Sequence, residues 1–256
     1  MKVVIFAGGY GTRISEESYL KPKPMIEIGG MPILWHIMKL YSHYGHNDFI
    51  ICAGYKQNVI KEWFNNYRIN MSDVVFDFET GTKKIIGTHA KENWKVSVID
   101  TGLDTKTGGR LLKIKRLIGD EPFLLTYGDG VANVDINEVI KFHRSQSKTV
   151  TVTAVRPEGR FGILEIEGDE IKSFHEKRKE DAGWINGGFM VVEPEALDYI
   201  ENPDMMFEAE PLVRIAEDGE LCCYRHNGFW QCMDTMRDKE RLEALYKSDR
   251  IPWKVW

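Results

Sequence analysis

The chain has 256 residues, of which 43% are hydrophobic and 29% charged, with a formal net charge of −5. That balance suits a folded, water-facing chain. It excludes a nucleic-acid coat or a membrane-surface binder, since both need a positive excess, and no nucleic-acid or membrane partner is expected. No stretch approaches the roughly 18 apolar residues of a membrane span, and the apolar run after Met1 is too short for a signal peptide, so a cytoplasmic location is expected. Cys52, Cys222, Cys223 and Cys232 form no C-x-x-C pair and are expected as reduced thiols.

Apolar periodicity sets out the elements in chain order. Val3 to Ala7 reads as a buried strand. Pro32 opens a helix to about Tyr44, with Ile33, Leu34, Ile37, Leu40 and Tyr41 at helical spacing. Phe49 to Cys52 is a second strand, and Gln57 to Ile69 a helix carrying Val59, Ile60, Trp63, Phe64 and Tyr67 on one face. Glu79 to Asn93 is polar and poorly periodic, which suggests an inserted hairpin or loop, placed at a subunit contact. A strand over Val96 to Ile99, a helix around Leu111 to Leu117, a strand over Phe123 to Thr126, a helix over Asp135 to Gln146 and a β-branched strand over Thr149 to Val155 continue the rhythm. Such alternation predicts βαβ units and an α/β fold: a Rossmann-like mixed, mostly parallel sheet flanked by helices.

The later third is richer in strands. Gly162 to Ile166 and Ile171 to Phe174 flank Glu167-Gly168-Asp169-Glu170 as a hairpin. Gly188 to Val192, Leu221 to His226 and Phe229 to Met233 are further strands, and Arg237 to Lys247 a closing helix. The chain is therefore expected as one domain: a core over about 1–150, a β-rich part over about 151–235 and a helix with tail over about 236–256. Trp253 and Trp256 are expected to dock on the body or a neighbouring subunit. His36, His43 and His143 fall on helices and form no catalytic or metal pattern.

The first strand runs into Phe6-Ala7-Gly8-Gly9-Tyr10-Gly11-Thr12-Arg13. Glycines after a strand let backbone N–H groups approach a phosphate or a base edge. The loop is not a P-loop, and Ile14 stands where a dinucleotide fingerprint needs a small residue. Taken alone it fits a tight structural turn as well as a nucleotide loop. Its flanks add charge. Arg13 is a forked donor suited to phosphate, and Lys23 is a point charge held between Pro22 and Pro24. Lys21 reads as a solvated surface charge. Asp129, in Tyr127-Gly128-Asp129-Gly130, and Asp234 both follow apolar strands, so their carboxylates could converge on one hard cation. Asp129 also fits as a turn residue and Asp234 as a helix cap.

The run F-A-G-G-x-G-T-R followed by Lys23-Pro24 resembles the signature of the sugar-nucleotide pyrophosphorylases, a family of nucleotidyltransferases. The resemblance continues through Thr107-Gly108-Gly109-Arg110, Tyr127-Gly128-Asp129-Gly130, Gly159-Arg160-Phe161-Gly162, Phe174-His175-Glu176-Lys177, Asn186-Gly187-Gly188 and Met233-Asp234-Thr235. KPKPMIEIGGMPILWHIMK, DTGLDTKTGGR, TYGDG and GFWQCMDT resemble the branch that joins CTP and glucose 1-phosphate. The resemblance implies a nucleotide-diphospho-sugar transferase fold with a sugar-binding part, a Mg²⁺ cofactor held by Asp129 and Asp234, and a homo-oligomer. It implies Arg13, Lys23 and Asp129 as catalytic residues. It implies nucleotide contacts from Phe6, Ala7, Gly8, Gly9, Tyr10, Gly11, Thr12, Arg13, Lys23 and Gly128. Thr107, Gly108, Gly109 and Arg110 would lie against base and ribose, with the glycines opening the helix to the ligand. Gly162, Glu176, Lys177, Asn186 and Gly187 would form the sugar-phosphate site, although Glu176 and Lys177 also fit as an exposed charged pair. Arg178 stands where many members have proline after Lys177, which bears on the sugar loop's geometry. The implied product would supply deoxysugars for O-antigen-type surface polysaccharide. UTP or dTTP in place of CTP, and a silent nucleotide-sugar-binding homologue, are the rival expectations.

Overall fold

The computed structural model describes residues 1–157, 162–167, 170–176, 183–248 and 250–256. In chain order they form β1 (Val3–Ala7), α1 (Ser15–Ser18), β2 (Glu27–Ile28), β3 (Met31–Pro32), α2 (Ile33–His43), β4 (Asp48–Ala53), α3 (Gln57–Asn70), β5 (Ser72–Asp77), β6 (Thr82–Thr88) and β7 (Lys95–Asp100). There follow α4 (Thr107–Ile118), β8 (Phe123–Tyr127), β9 (Gly130–Ala132), α5 (Ile136–Gln146), β10 (Val150–Val155), β11 (Gly162–Glu167), β12 (Glu170–Glu176), β13 (Ile185–Asn186) and β14 (Met190–Val192). α6 (Glu210–Glu217), β15 (Leu221–His226), β16 (Trp230–Cys232) and α7 (Met236–Tyr246) complete the described elements.

Eight strands form the main sheet. β7, β4, β1 and β8 lie side by side, then β14 and β13, then β10, with β15 paired to the far side of β10. β4, β8 and β7 run parallel to β1 or its neighbour, and β15 runs parallel to β10. Only the β13–β14 segment runs against its neighbours. The chain moves from β1 outward through β4 to β7, then returns to place β8 on the other side of β1. The crevice between β1 and β8 is therefore a topological switch point, where an open α/β sheet binds its ligand.

Side-chain alternation along β1 divides the core into two layers. Val3, Ile5 and Ala7 face a layer shared with α2 and α7, while Val4 and Phe6 face one shared with α4, Leu197, Phe207 and Leu212. A strand buried on both faces needs a continuous apolar run, which VVIFA supplies.

The β-rich part is continuous with the core: β10, β13, β14 and β15 extend the main sheet, with Val150 to Val155 buried as an internal strand. β11 and β12 form a separate antiparallel pair, as the hairpin pattern predicts. The segment after α3 is a hairpin of β5 and β6 that starts at Ser72, earlier than the polar stretch suggests. Trp253 is buried and donates from Nε1 to His36 Nδ1, so the C-terminal tail docks on the body.

Candidate active site

The parallel strands end on one edge, and the loops that leave them there enclose a cavity of about 430 Å³. It is lined by the unbroken run Phe6 to Arg13, by Lys23 and Pro24, by the segment from Leu103 to Thr107, and by Arg110, Tyr127, Gly128, Asp129 and Met206.

Each glycine of the opening loop has its own reason. Gly11 sits at φ 67°, in the left-handed region that costs an L side chain. A Cβ on Gly8 would fall 2.0 Å from Arg110 Nη1. Gly9 meets nothing within 4 Å and leaves its side of the cavity open. Gly128 must be bare because a Cβ there would lie 2.8 Å from the Phe6 carbonyl, which accepts the Gly128 N–H at 2.9 Å. This last contact joins the β1 and β8 loops into one wall.

At the cavity's end four charges meet. Lys23 Nζ donates to Asp129 Oδ2 and to Asp234 Oδ1, each at 2.6 Å, and Arg13 Nη1 donates to Asp234 Oδ2 at 2.8 Å. Lys23 is 9% exposed. Burial alone would lower the pKa of its ammonium, but Asp129 and then Asp234 outweigh that and hold it above the usual lysine value. The two aspartates meet through strand pairing: β16 runs antiparallel to β9, and the Met233 N–H donates to the Asp129 carbonyl at 2.8 Å. Asp234 is further fixed by its own N–H, which donates to Asp238 Oδ2 at 3.1 Å, while Thr235 and Asp238 close a capping box on α7. Cys232 Sγ lies 3.8 Å from Asp234 Oδ2, and burial followed by the two carboxylates pushes its thiol up to about 12.

The Thr107-Gly108-Gly109-Arg110 run is the first turn of α4, which begins four residues before the expected Leu111. Its glycines face the 203–205 loop. A Cβ on Gly108 would lie 2.6 Å from the Met205 carbonyl, and one on Gly109 2.1 Å from that of Pro203. Neither is among the residues that line the cavity, and both pack against that loop. Thr107 Oγ1 accepts from the Phe207 N–H at 2.9 Å and donates to Glu208 Oε2 at 2.5 Å. Arg110 is buried, its guanidinium spread over the carbonyls of Gly8, Ala53, Gly102 and Leu103 and the Thr101 hydroxyl. It braces the glycine loop from behind.

Of the expected sugar-phosphate residues, Asn186 and Gly187 are not among those that line this cavity. Gly162 and Glu176 pair at the open end of the β11–β12 hairpin, and Lys177 lies outside the described residues. Asn186 Nδ2 donates to the Tyr127 hydroxyl at 3.3 Å, and Gly187 is bare because its Cβ would lie 2.7 Å from Val155 Cγ1. Sequence reasoning missed Glu208, Asp238 and Asp104, whose Oδ1 accepts from the Tyr10 hydroxyl at 2.6 Å. Asp238 carried a signal: it stands three residues after Thr235, the capping-box spacing.

Residues 2–235 match the family model described as nucleotidyl transferase. The chain belongs to the nucleotidyl transferase family. As a nucleotidyl transferase it is 52% identical, with all of both chains covered, to proteins of Salmonella typhi and of Salmonella typhimurium strain LT2, each named glucose-1-phosphate cytidylyltransferase. Among solved structures, HddC from Yersinia pseudotuberculosis aligns with a TM-score of 0.70 at 23% identity, over 96% of this chain and 99% of that one. A UDP-glucose pyrophosphorylase complexed with UDP-glucose aligns at 0.69 and 17% identity, over 97% and 99%. At those identities the structures speak for the fold alone.

Proposed function

We propose that the chain transfers the cytidylyl group of CTP to α-D-glucose 1-phosphate, giving CDP-glucose and pyrophosphate. The full-length identity of 52% to two glucose-1-phosphate cytidylyltransferases supports the choice of base and sugar. The observation that carries the chemistry is the ammonium of Lys23 held at 2.6 Å by two carboxylates at the end of a glycine-walled cavity.

A phosphate oxygen of the sugar phosphate attacks the α-phosphorus in line, the P–O bond to the β-phosphate breaks, and pyrophosphate leaves with that electron pair. No protein nucleophile is required; the protein aligns two polyanions and balances their charge. The loop from Phe6 to Thr12 with Gly128 admits the nucleotide, and Gly9 leaves the backbone bare on that side. Lys23, protonated at neutral pH, faces the reacting phosphates. Arg13, with its side chain 72% exposed, can swing from Asp234 onto the departing pyrophosphate. Asp129 and Asp234 form an all-oxygen, two-carboxylate donor set, which suits Mg²⁺ shared with phosphate oxygens. Bound there, Mg²⁺ would supply charge neutralisation across the phosphates. Asn186, Gly187 and the Gly162–Glu176–Lys177 loop are assigned to the sugar phosphate.

The protein is further assigned to the cytoplasm, as a supplier of CDP-sugar for surface polysaccharide, and as a homo-oligomer. The β5–β6 hairpin supports the last, because it exposes Val75, Phe76, Phe78, Ile85 and Ile86 across its two faces. Among the described residues no helix is long and apolar enough to cross a membrane.

Pyrophosphate release tests the reading, with glucose 1-phosphate, Mg²⁺ and each of CTP, UTP, dTTP, ATP and GTP in parallel. CTP preference upholds it. Preference for UTP or dTTP overturns the base and keeps the mechanism. Silence with all five overturns catalysis in favour of a binding homologue.

A further inference from the structure

Asn186 is gripped on both sides of its amide. Its Oδ1 accepts from the Gly188 N–H at 2.9 Å, and its Nδ2 donates to the Tyr127 hydroxyl at 3.3 Å. An Nδ2 group carries two protons; one is taken by Tyr127 and the other meets no acceptor among the described residues. The Tyr127 hydroxyl, having accepted from Asn186, must send its own proton elsewhere. The Glu208 carboxylate lies beside it. Glu208 Oε2 takes the Thr107 hydroxyl, while Oε1 is shut away from solvent with no hydrogen-bond partner among the described residues. Glu208 is within hydrogen-bond reach of the Tyr127 phenol, which keeps its proton at neutral pH as an ordinary phenol does and so remains a donor. A shielded carboxylate oxygen without a donor is costly to leave so. Hydrogen bonds of this kind are often long before substrate binds and tighten in the complex.

We propose that Glu208 and Tyr127 are positioning residues for the sugar phosphate. Glu208 Oε1 takes the Tyr127 proton, Tyr127 takes one Asn186 amide proton, and the second Nδ2 proton is thereby presented to the glucosyl phosphate. The proposal rests on the cytidylyl reading above, which assigns Asn186 to that substrate. Neither Glu208 nor Tyr127 needs to touch the sugar. Their effect reaches it through an amide whose rotation is locked at both ends, at Gly188 and at Tyr127.

Calorimetric binding of CDP-glucose and of CDP separates the sugar from the nucleotide. The unaltered protein is measured first, then Tyr127→Phe, Glu208→Ala, Glu208→Gln and the double variant Tyr127→Phe/Glu208→Ala. Thermal melts check that each folds. Tyr127→Phe and Glu208→Ala are expected to weaken CDP-glucose roughly 10-fold, the size of one hydrogen bond, and CDP by less than about 2-fold. Glu208→Gln keeps an acceptor beside the phenol and should restore most of the loss. The double variant should be no weaker than either single one, because both break one chain. Equal weakening of CDP and CDP-glucose would mean that Glu208 only props the shared cavity through Thr107, and overturns the relay. So would variants that bind like the unaltered protein, or losses that add. Failure of the unaltered protein to bind CDP-glucose overturns the cytidylyl reading and the relay with it; tight binding by indifferent variants overturns the relay alone.

Discussion

Lys23 shows how a single residue's setting differs from its sequence. Two prolines bracket it, and that much is local: Pro22 is extended and Pro24 sits inside a single 3-10 turn over Lys23–Met25. Its partners come from the far side of the chain, Asp129 after β8 and Asp234 after β16. Removing one member of a buried ion cluster leaves the others uncompensated as well as removing a charge from the site. Lys23→Ala and Asp129→Ala are each expected to lower kcat/KM at least ~100-fold, the scale of losing one preorganised charge. Folded variants that keep near-native rates in the pyrophosphate assay would remove these residues from the mechanism. The opening glycines, Arg13, Lys23 and both aspartates were legible as residue types. That Arg110 would turn its guanidinium onto the Gly8 carbonyl was not, because the four carbonyls that hold it come from three separate segments, the ends of β1, β4 and β7.

At the scale of the element, α7 acts as a bracket for the site. Its capping box uses Asp238 Oδ2 for the N–H of Thr235, and the same oxygen accepts from the N–H of Asp234. One carboxylate thus starts the helix and fixes the residue that faces Lys23. Asp238→Ala should cost about 1 kcal/mol of stability, as cap losses do, and should also lower kcat. Thr235→Ala should share the stability loss with a smaller effect on rate, since Asp238 can still hold Asp234. Urea denaturation beside initial rates tests this; equal rate losses in the two variants would argue against Asp238 as the anchor. The boundaries of α2, α3, α5 and α7 follow the apolar spacing closely, because each buries a stripe against the sheet. The start of α4 did not, since two glycines in a first turn weaken the helix signal. Only the loop of Pro203 to Phe207, packed on that turn, makes bare backbone the better choice there.

Across the whole molecule the C-terminal tail and α2 meet at His36. Its Nδ1 accepts from the buried Trp253 Nε1, so Nε2 carries the proton and donates to the Ile28 carbonyl at 2.9 Å. Burial first of all lowers its pKa to about 4. A folded pKa below the ordinary 6.5 means that the unfolded chain binds the proton more readily. His36 therefore contributes its stability above pH 6.5 and loses it as pH falls from 6.5 toward 4, by up to about 3 kcal/mol. His46, lowered to about 4 by burial and then by the N-terminal charge, acts in the same direction. Melting temperature should fall through that window, and His36→Gln should flatten the fall while lowering stability at pH 8. An equally steep profile in His36→Gln would place the acid sensitivity elsewhere. At the same scale, Phe78 is 94% exposed at the tip of the β5–β6 hairpin. Phe78→Glu should shift a homo-oligomer toward the mass of one chain, 29.6 kDa, in light scattering. An unchanged mass would clear the hairpin of that role.

The sequence by itself determined the strands and most helices, the glycine loop after the first strand, and the charged residue types at the cavity's end. Each of these depends on neighbours within a turn or a strand's length, where periodicity and backbone sterics act. Tertiary structure alone decided that β10, β13, β14 and β15 join the main sheet, that Asp129 and Asp234 share Lys23, that Arg110 braces Gly8, and that Glu208 lies beside Tyr127. Those depend on strand order and on loops closing over one another, and the free energy of such contacts lies between residues that the chain keeps far apart until it has folded.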